Sequence, residues 1–150
     1  MLKAFKQGEE LRSKGPISVR ITKEDFIRYW KNFRELTASS VSQLHFGRYK
    51  AAAQDDNLSE AHAIILDMVT RMGTSLPRWQ YGLTVVLEKK PGCLLIEKLW
   101  AILLMEADFN MINKLIVGVR MMHLAEETNE MPIEQSGGRK HHSADEAALN

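Results

Sequence analysis

The spacing of apolar residues changes twice along this chain, and each change calls for a different kind of element. Phe26, Ile27, Trp30 and Phe33 recur at helical spacing, as do Ala61, Ile64, Ile65, Met68, Val69 and Met72 farther on. From Leu83 to Leu87 the chain turns β-branched and apolar, a strand texture. Helical spacing then returns at Phe109, Ile112, Ile116, Val119 and Met122. Such a chain is expected to be α+β, predominantly helical, with a short β-hairpin.

Local signals place the boundaries. Thr22 followed by Asp25 resembles a capping box, with Asp in place of the more usual Glu or Gln, and predicts a helix over residues 23–36. The Ser/Thr-rich stretch 37–43 breaks it, because hydroxyls compete with the backbone for hydrogen bonds. Asn57 offers a cap for a second amphipathic helix, and Gly73 ends it. Lys89-Lys90-Pro91-Gly92 is turn chemistry between the run at 83–87 and a second apolar run at 93–96. Residues 99–105 are apolar enough for a buried strand, and a long helix is expected over 106–127. Met131-Pro132 interrupts that helix, Gly137-Gly138 forces a turn, and Ser143 can cap a last helix. The organisation is therefore a polar flank over 1–16, a helical segment over 17–76 and a mixed segment over 77–150.

With 150 residues, 45% of them apolar, the chain can bury a core, and a formal net charge of +1 means that any basic surface is local. Cys93 is alone, so no intramolecular disulfide partner is expected. Charges at Lys3, Lys6, Glu9, Glu10, Arg12 and Lys14 leave no apolar core for a signal peptide, and the longest apolar runs are too short to span a membrane. An intracellular, soluble protein is expected, with no membrane partner.

Few clusters carry chemistry. His141-His142 would need further ligands to hold zinc, and Cys93, His45, His62 and His123 are scattered, so packed or solvated histidines are expected. No Ser sits in a Gly-x-Ser-x-Gly elbow, and no catalytic residue or metal ligand is assigned. Glu106 and Asp108 lie two apart where a strand meets a helix. Two-metal phosphoryl transfer uses clustered carboxylates, but acidic residues in a first helical turn also oppose the positive end of the macrodipole, and that capping role is favoured. Gly137-Gly138-Arg139-Lys140 could offer backbone donors and two cations to a phosphate, and Lys89-Lys90 at the hairpin tip has similar standing; each is more often a solvated turn.

Several short motifs follow one another in a recognisable order: residues 37–40, Leu44-His45-Phe46-Gly47-Arg48-Tyr49-Lys50-Ala51, Pro77-Arg78-Trp79 and Leu87-Glu88-Lys89-Lys90-Pro91-Gly92. Glu97-Lys98-Leu99-Trp100 leading into Met105-Glu106-Ala107-Asp108-Phe109-Asn110 continues the series, and Glu134-Gln135-Ser136-Gly137-Gly138-Arg139-Lys140, Ser143-Ala144 and Ala148-Leu149-Asn150 close it. This order, over residues 17–150, resembles the reverse transcriptases (RNA-directed DNA polymerases) of retroelements. The resemblance implies part of the fingers of a right-hand polymerase, truncated before the palm whose aspartates would hold two Mg²⁺ ions. It implies RNA or DNA template-primer as partner, with nucleic-acid or nucleotide contact through Lys98, Gly138, Arg139 and Lys140. No Tyr-x-Asp-Asp pair occurs, so the chain alone is expected to be inactive and to need no cofactor of its own. The family usually has Arg where this chain has Trp100, Tyr at Ser136 and a Pro-Ser-Gly run at Val41-Ser42-Gln43. Losing a cation at Trp100 weakens any phosphate contact there. The alternatives are a non-catalytic nucleic-acid-binding remnant, or a translated gene fragment that folds poorly and has no function.

Overall fold

The computed structural model describes residues 16–34, 40–93, 95–132 and 139. It is mixed α+β and mostly helical, with a two-stranded antiparallel sheet. The chain divides into two compact units. One is Val19–Met111; the described part of the other is residues 16–18, 112–132 and Arg139.

The Val19–Met111 unit starts with helix α1 (Lys23–Lys31). Its capping box is as expected: the Thr22 hydroxyl accepts from the Asp25 amide at 3.2 Å, and the Asp25 carboxylate accepts from the Thr22 amide at 3.1 Å. Such a cap contributes about 1 kcal/mol. The helix stops at an Asn32 cap, short of the predicted residue 36; residues 35–39 lie outside the described set. Phe26 and Trp30, one turn apart, are wholly buried. They seed an aromatic cluster with helix α2 (Phe46–Ala52): Trp30 stacks on Tyr49 at 4.8 Å, and Phe33 stacks on Phe46 at 4.8 Å. Pairs of this kind add roughly 0.5–1.5 kcal/mol each beyond the area they bury.

Helix α3 (Asp56–Met72) is capped by Asp55, whose carboxylate accepts from the Asn57 and Leu58 amides, both at 2.9 Å. Gly73 closes it in the left-handed conformation, φ 62°, as its sequence position predicts. The buried face differs from the expected one. Ser59, Ala63, Leu66 and Val69 face inward, whereas Ile64, Ile65, Met68 and Met72 are exposed. Apolar residues surround much of this helix, so their spacing alone does not choose a face. The inward face carries small residues, which let the helix approach α1 and α2 closely: the Ser59 hydroxyl donates to the Ala52 carbonyl at 3.0 Å, and His62 stacks on Phe26 at 5.3 Å.

After a 3₁₀ turn (Pro77–Gln80), strand β1 (Leu83–Glu88) pairs antiparallel with strand β2 (Leu99–Leu104), with Leu83 opposite Leu104 and Glu88 opposite Leu99. Of residues 93–96, expected to be the returning strand, Cys93, Leu95 and Ile96 instead lie in the connection, which ends in a 3₁₀ turn (Ile96–Lys98), and residue 94 lies outside the described set. All six residues of β1 find partners in 99–104, whereas the four-residue run 93–96 could match only part of it. Residues 99–105 were also expected to be buried, yet Trp100, Ile102 and Leu103 are exposed. Helix α4 (Ala107–Ile112) follows directly.

In the other unit the helical path continues as a π-helical stretch (Asn113–Met121) and then helix α5 (Met122–Glu127). Most π-helices are single-turn bulges, so nine residues of i→i+5 winding is unusual. The helical pattern over 106–127 is thus realised, with a local widening that apolar periodicity does not signal. The Arg120 guanidinium donates to the Ser18 carbonyl at 2.8 Å, tying the segment 16–18 to this helix.

Candidate functional site

Two sites stand out in the Val19–Met111 unit, one buried and one exposed. The buried one forms where β2 meets α4. Asp108 lies in the first turn of α4 as expected, and its carboxylate accepts from the Phe109 amide at 3.0 Å, but it and Glu106 are each about 1% exposed, so both serve more than a helix end. Arg78, from the 3₁₀ turn, is hydrogen-bonded through its guanidinium to Asp108 and places Nε 3.9 Å from the Glu106 carboxylate. The Trp79 indole N–H donates to the other Asp108 oxygen at 2.8 Å. The Ser42 hydroxyl donates at 2.7 Å to the Glu106 oxygen that lies by the Arg78 Nε, and the Ser42 amide to the other at 3.3 Å. Three segments distant in sequence are thereby tied at one point. Burying charges costs several kcal/mol per ion before pairing repays it, so each group here depends on the others.

The electrostatics follow from this crowding. Burial pulls the Arg78 guanidinium down, but the Asp108 charge and hydrogen bond outweigh it, and the net shift is upward. Burial pushes the Tyr49 hydroxyl up to about 12, with the nearby Asp108 adding to the shift. Burial lowers His62, partly offset by Asp108, which favours the neutral imidazole. Glu106 and Asp108 do not fit a Mg²⁺ centre, because their oxygens already accept from Arg78, Trp79 and Ser42 and the site holds a resident cation. Among the described residues no group of three or more His, Cys, Asp or Glu is placed to hold a metal.

The exposed site is the closed end of the hairpin. The Lys89 amide donates to the Lys98 carbonyl at 3.0 Å, continuing the β1–β2 pairing by one step and setting these residues side by side. Gly92, at φ 79°, closes the turn, and its amide donates to the Glu88 carboxylate at 2.7 Å. Lys89, Lys90 and Lys98 are all exposed, and none forms an ion pair among the described residues. Lys98 is singled out by the resemblance and Lys89-Lys90 by its place at the hairpin tip; the pairing sets Lys89 opposite Lys98.

Arg139 is engaged within its own unit: its Nε lies 3.6 Å from the Glu126 carboxylate and its guanidinium donates to the Pro132 carbonyl at 3.4 Å. Gly138, Lys140, His141 and His142 lie outside the described residues. His45 accepts from the Gly47 amide at 3.1 Å as the cap of α2, His62 packs on Phe26, and His123 is exposed beside Glu127. Cys93 is a free thiol, and among the described residues no helix is long and apolar enough to cross a membrane.

The buried network went unseen in the sequence, although Ser42, Arg78, Trp79, Glu106 and Asp108 all fall in or beside the motifs noted there. Nothing in spacing pairs Ser42 with Glu106, 64 positions away. No family model, no curated protein and no solved structure matches this chain.

Proposed function

We propose that this chain is a fingers-like portion of a reverse-transcriptase-type polymerase, and that it binds nucleic acid without performing nucleotide transfer itself. The ordered motifs support the family; the cluster of Lys89, Lys90 and Lys98 at the hairpin end carries the binding. Three exposed lysines that make no ion pair among the described residues, the Lys89 ammonium donating to the Glu97 carbonyl at 3.3 Å, outnumber Glu88 and Glu97 there and can meet a phosphate backbone, whose charge supplies most of the affinity in non-specific binding. Lysine suits this role as a flexible point charge, reading neither base nor shape. Gly138, Arg139 and Lys140 belong to the proposal through the family resemblance, with Arg139 having to exchange Glu126 for phosphate.

In full-length relatives, Mg²⁺ held by palm aspartates would supply the chemistry; this chain's own residues would position the strand. The test is fluorescence anisotropy of a labelled single-stranded RNA with the purified chain. Replacing Lys89, Lys90 and Lys98 together by Ala is expected to weaken binding at least tenfold, and Arg139→Ala with Lys140→Ala to weaken it less. Equal binding by the hairpin variant, or primer extension by the chain alone, would sink the proposal.

A further inference from the structure

Beside the buried network, and separate from the hairpin lysines, a half-open cavity of about 490 Å³ lies among α2, α3 and the 3₁₀ turn. Leu44, Ile65, Leu66 and Leu76 make its walls apolar. Its size falls within the ~300–1,000 Å³ of sites for small organic ligands, which combine apolar walls with a few placed polar groups.

Two aromatic rings and one cation define what would fit. Tyr49 and His62 both line the space, and each has a ring packed against it from within the core, Trp30 at 4.8 Å and Phe26 at 5.3 Å. Tyr49 is buried and forms the floor, whereas His62 is half-buried, so a ring entering the cavity would meet His62 and extend the stack it makes with Phe26. Arg48 also lines the cavity, is exposed, and makes no ion pair among the described residues. Of the other charged groups lining the cavity, Asp108 and Arg78 pair with each other; Glu106, the second carboxylate beside Arg78, does not line it. Arg48 is therefore the one charged group of the lining that makes no ion pair among the described residues, and at the exposed rim it favours an anion.

We propose that this cavity binds a planar aromatic anion, its ring against His62 and its charged group at Arg48. The anionic group is the phosphate of a nucleotide or the carboxylate of an aromatic acid; a guanidinium fork donates equally well to the oxygens of either. The proposal does not depend on the polymerase reading, because none of the hairpin lysines takes part.

Methyl and amide NMR titrations of the whole chain test it, with adenosine 5′-monophosphate, indole-3-acetate, adenosine and inorganic phosphate as four separate probes. At least one aromatic anion is expected to saturate shifts at Leu44, Ile65 and Leu76, while adenosine and phosphate each bind at least fivefold more weakly. Which anion saturates identifies the source of the ligand. Arg48→Ala, at an exposed position where the fold is not at risk, should weaken that anion at least fivefold. Leu44→Trp should abolish its binding by filling the space, with unchanged shifts at Phe26 and Trp30 showing that the core is intact. No saturation by either aromatic anion, equal binding of adenosine, or an Arg48→Ala chain that binds as well as the parent would overturn the proposal.

Discussion

The buried network around Arg78 and the hairpin of β1 and β2 lie next to each other in the chain, yet they use their residues in opposite ways. In the network, the Glu106 and Asp108 carboxylates are withdrawn from water and held by Arg78, Trp79 and Ser42. In the hairpin, apolar side chains are left in water: Leu83, Val85 and Leu87 share a face with Leu104, Ile102 and Trp100, and much of that face is exposed. A two-stranded hairpin is marginal by itself and gains little from such exposure. The difference separates two kinds of short motif. Pro77-Arg78-Trp79 and the Glu106 to Asn110 segment hold the fold together, whereas the Lys90 and Lys98 side chains make no ion pair among the described residues and Lys89 reaches only the Glu97 carbonyl.

Mutations at the two places should therefore differ in kind. Asp108→Ala strands the Arg78 guanidinium and the Trp79 N–H together. Losing one partner of a buried pair costs about 3–5 kcal/mol, and with the Arg78 side chain 33% exposed the lower end is expected. Urea denaturation reads this directly, and a loss below about 1 kcal/mol would mean that the network is not buried as described. Ser42→Ala removes one donor from Glu106 and should cost about 1–3 kcal/mol by the same measurement. Trp100→Ser, at a side chain 60% exposed, should change stability by no more than about 0.5 kcal/mol. A larger loss would show that the hairpin face is covered in solution.

The smallest effect concerns pH. His62 has a folded pKa below its ordinary 6.5, because burial disfavours the imidazolium. Its contribution to stability is then present above pH 6.5 and is lost as pH falls through the lowered value. Relative to His62→Gln, the parent chain should lose stability on acidification below pH 6.5. Parallel stability curves for the two would remove the assignment.

What the sequence disclosed depended on range. The α1 capping box, the Gly73 stop and strand β1 were legible because each is decided within a few residues. The partner of β1 was not, since 93–96 and 99–104 are both apolar and only the length of the match discriminates between them. The buried face of α3 was misread because the side opposite the large apolar residues, with Ser59 and Ala63, is the one that fits against aromatic neighbours. The network was invisible for a related reason: Arg78 and Asp108 lie 30 positions apart, and a carboxylate at a helix start carries no mark of being buried. Of the residues singled out for nucleic-acid contact, Lys98 lies at an exposed cluster, Arg139 is paired with Glu126, and Gly138 and Lys140 fall outside the described residues.

The most direct test of the exposed cluster is the salt dependence of single-stranded RNA binding. Each phosphate contact on a single strand contributes about 0.7 to the slope of log K against log salt. The parent chain should have a slope steeper by about 2 than the Lys89→Ala, Lys90→Ala, Lys98→Ala variant, with both proteins equally stable. Identical slopes would contradict the assignment of these three lysines to a nucleic-acid backbone.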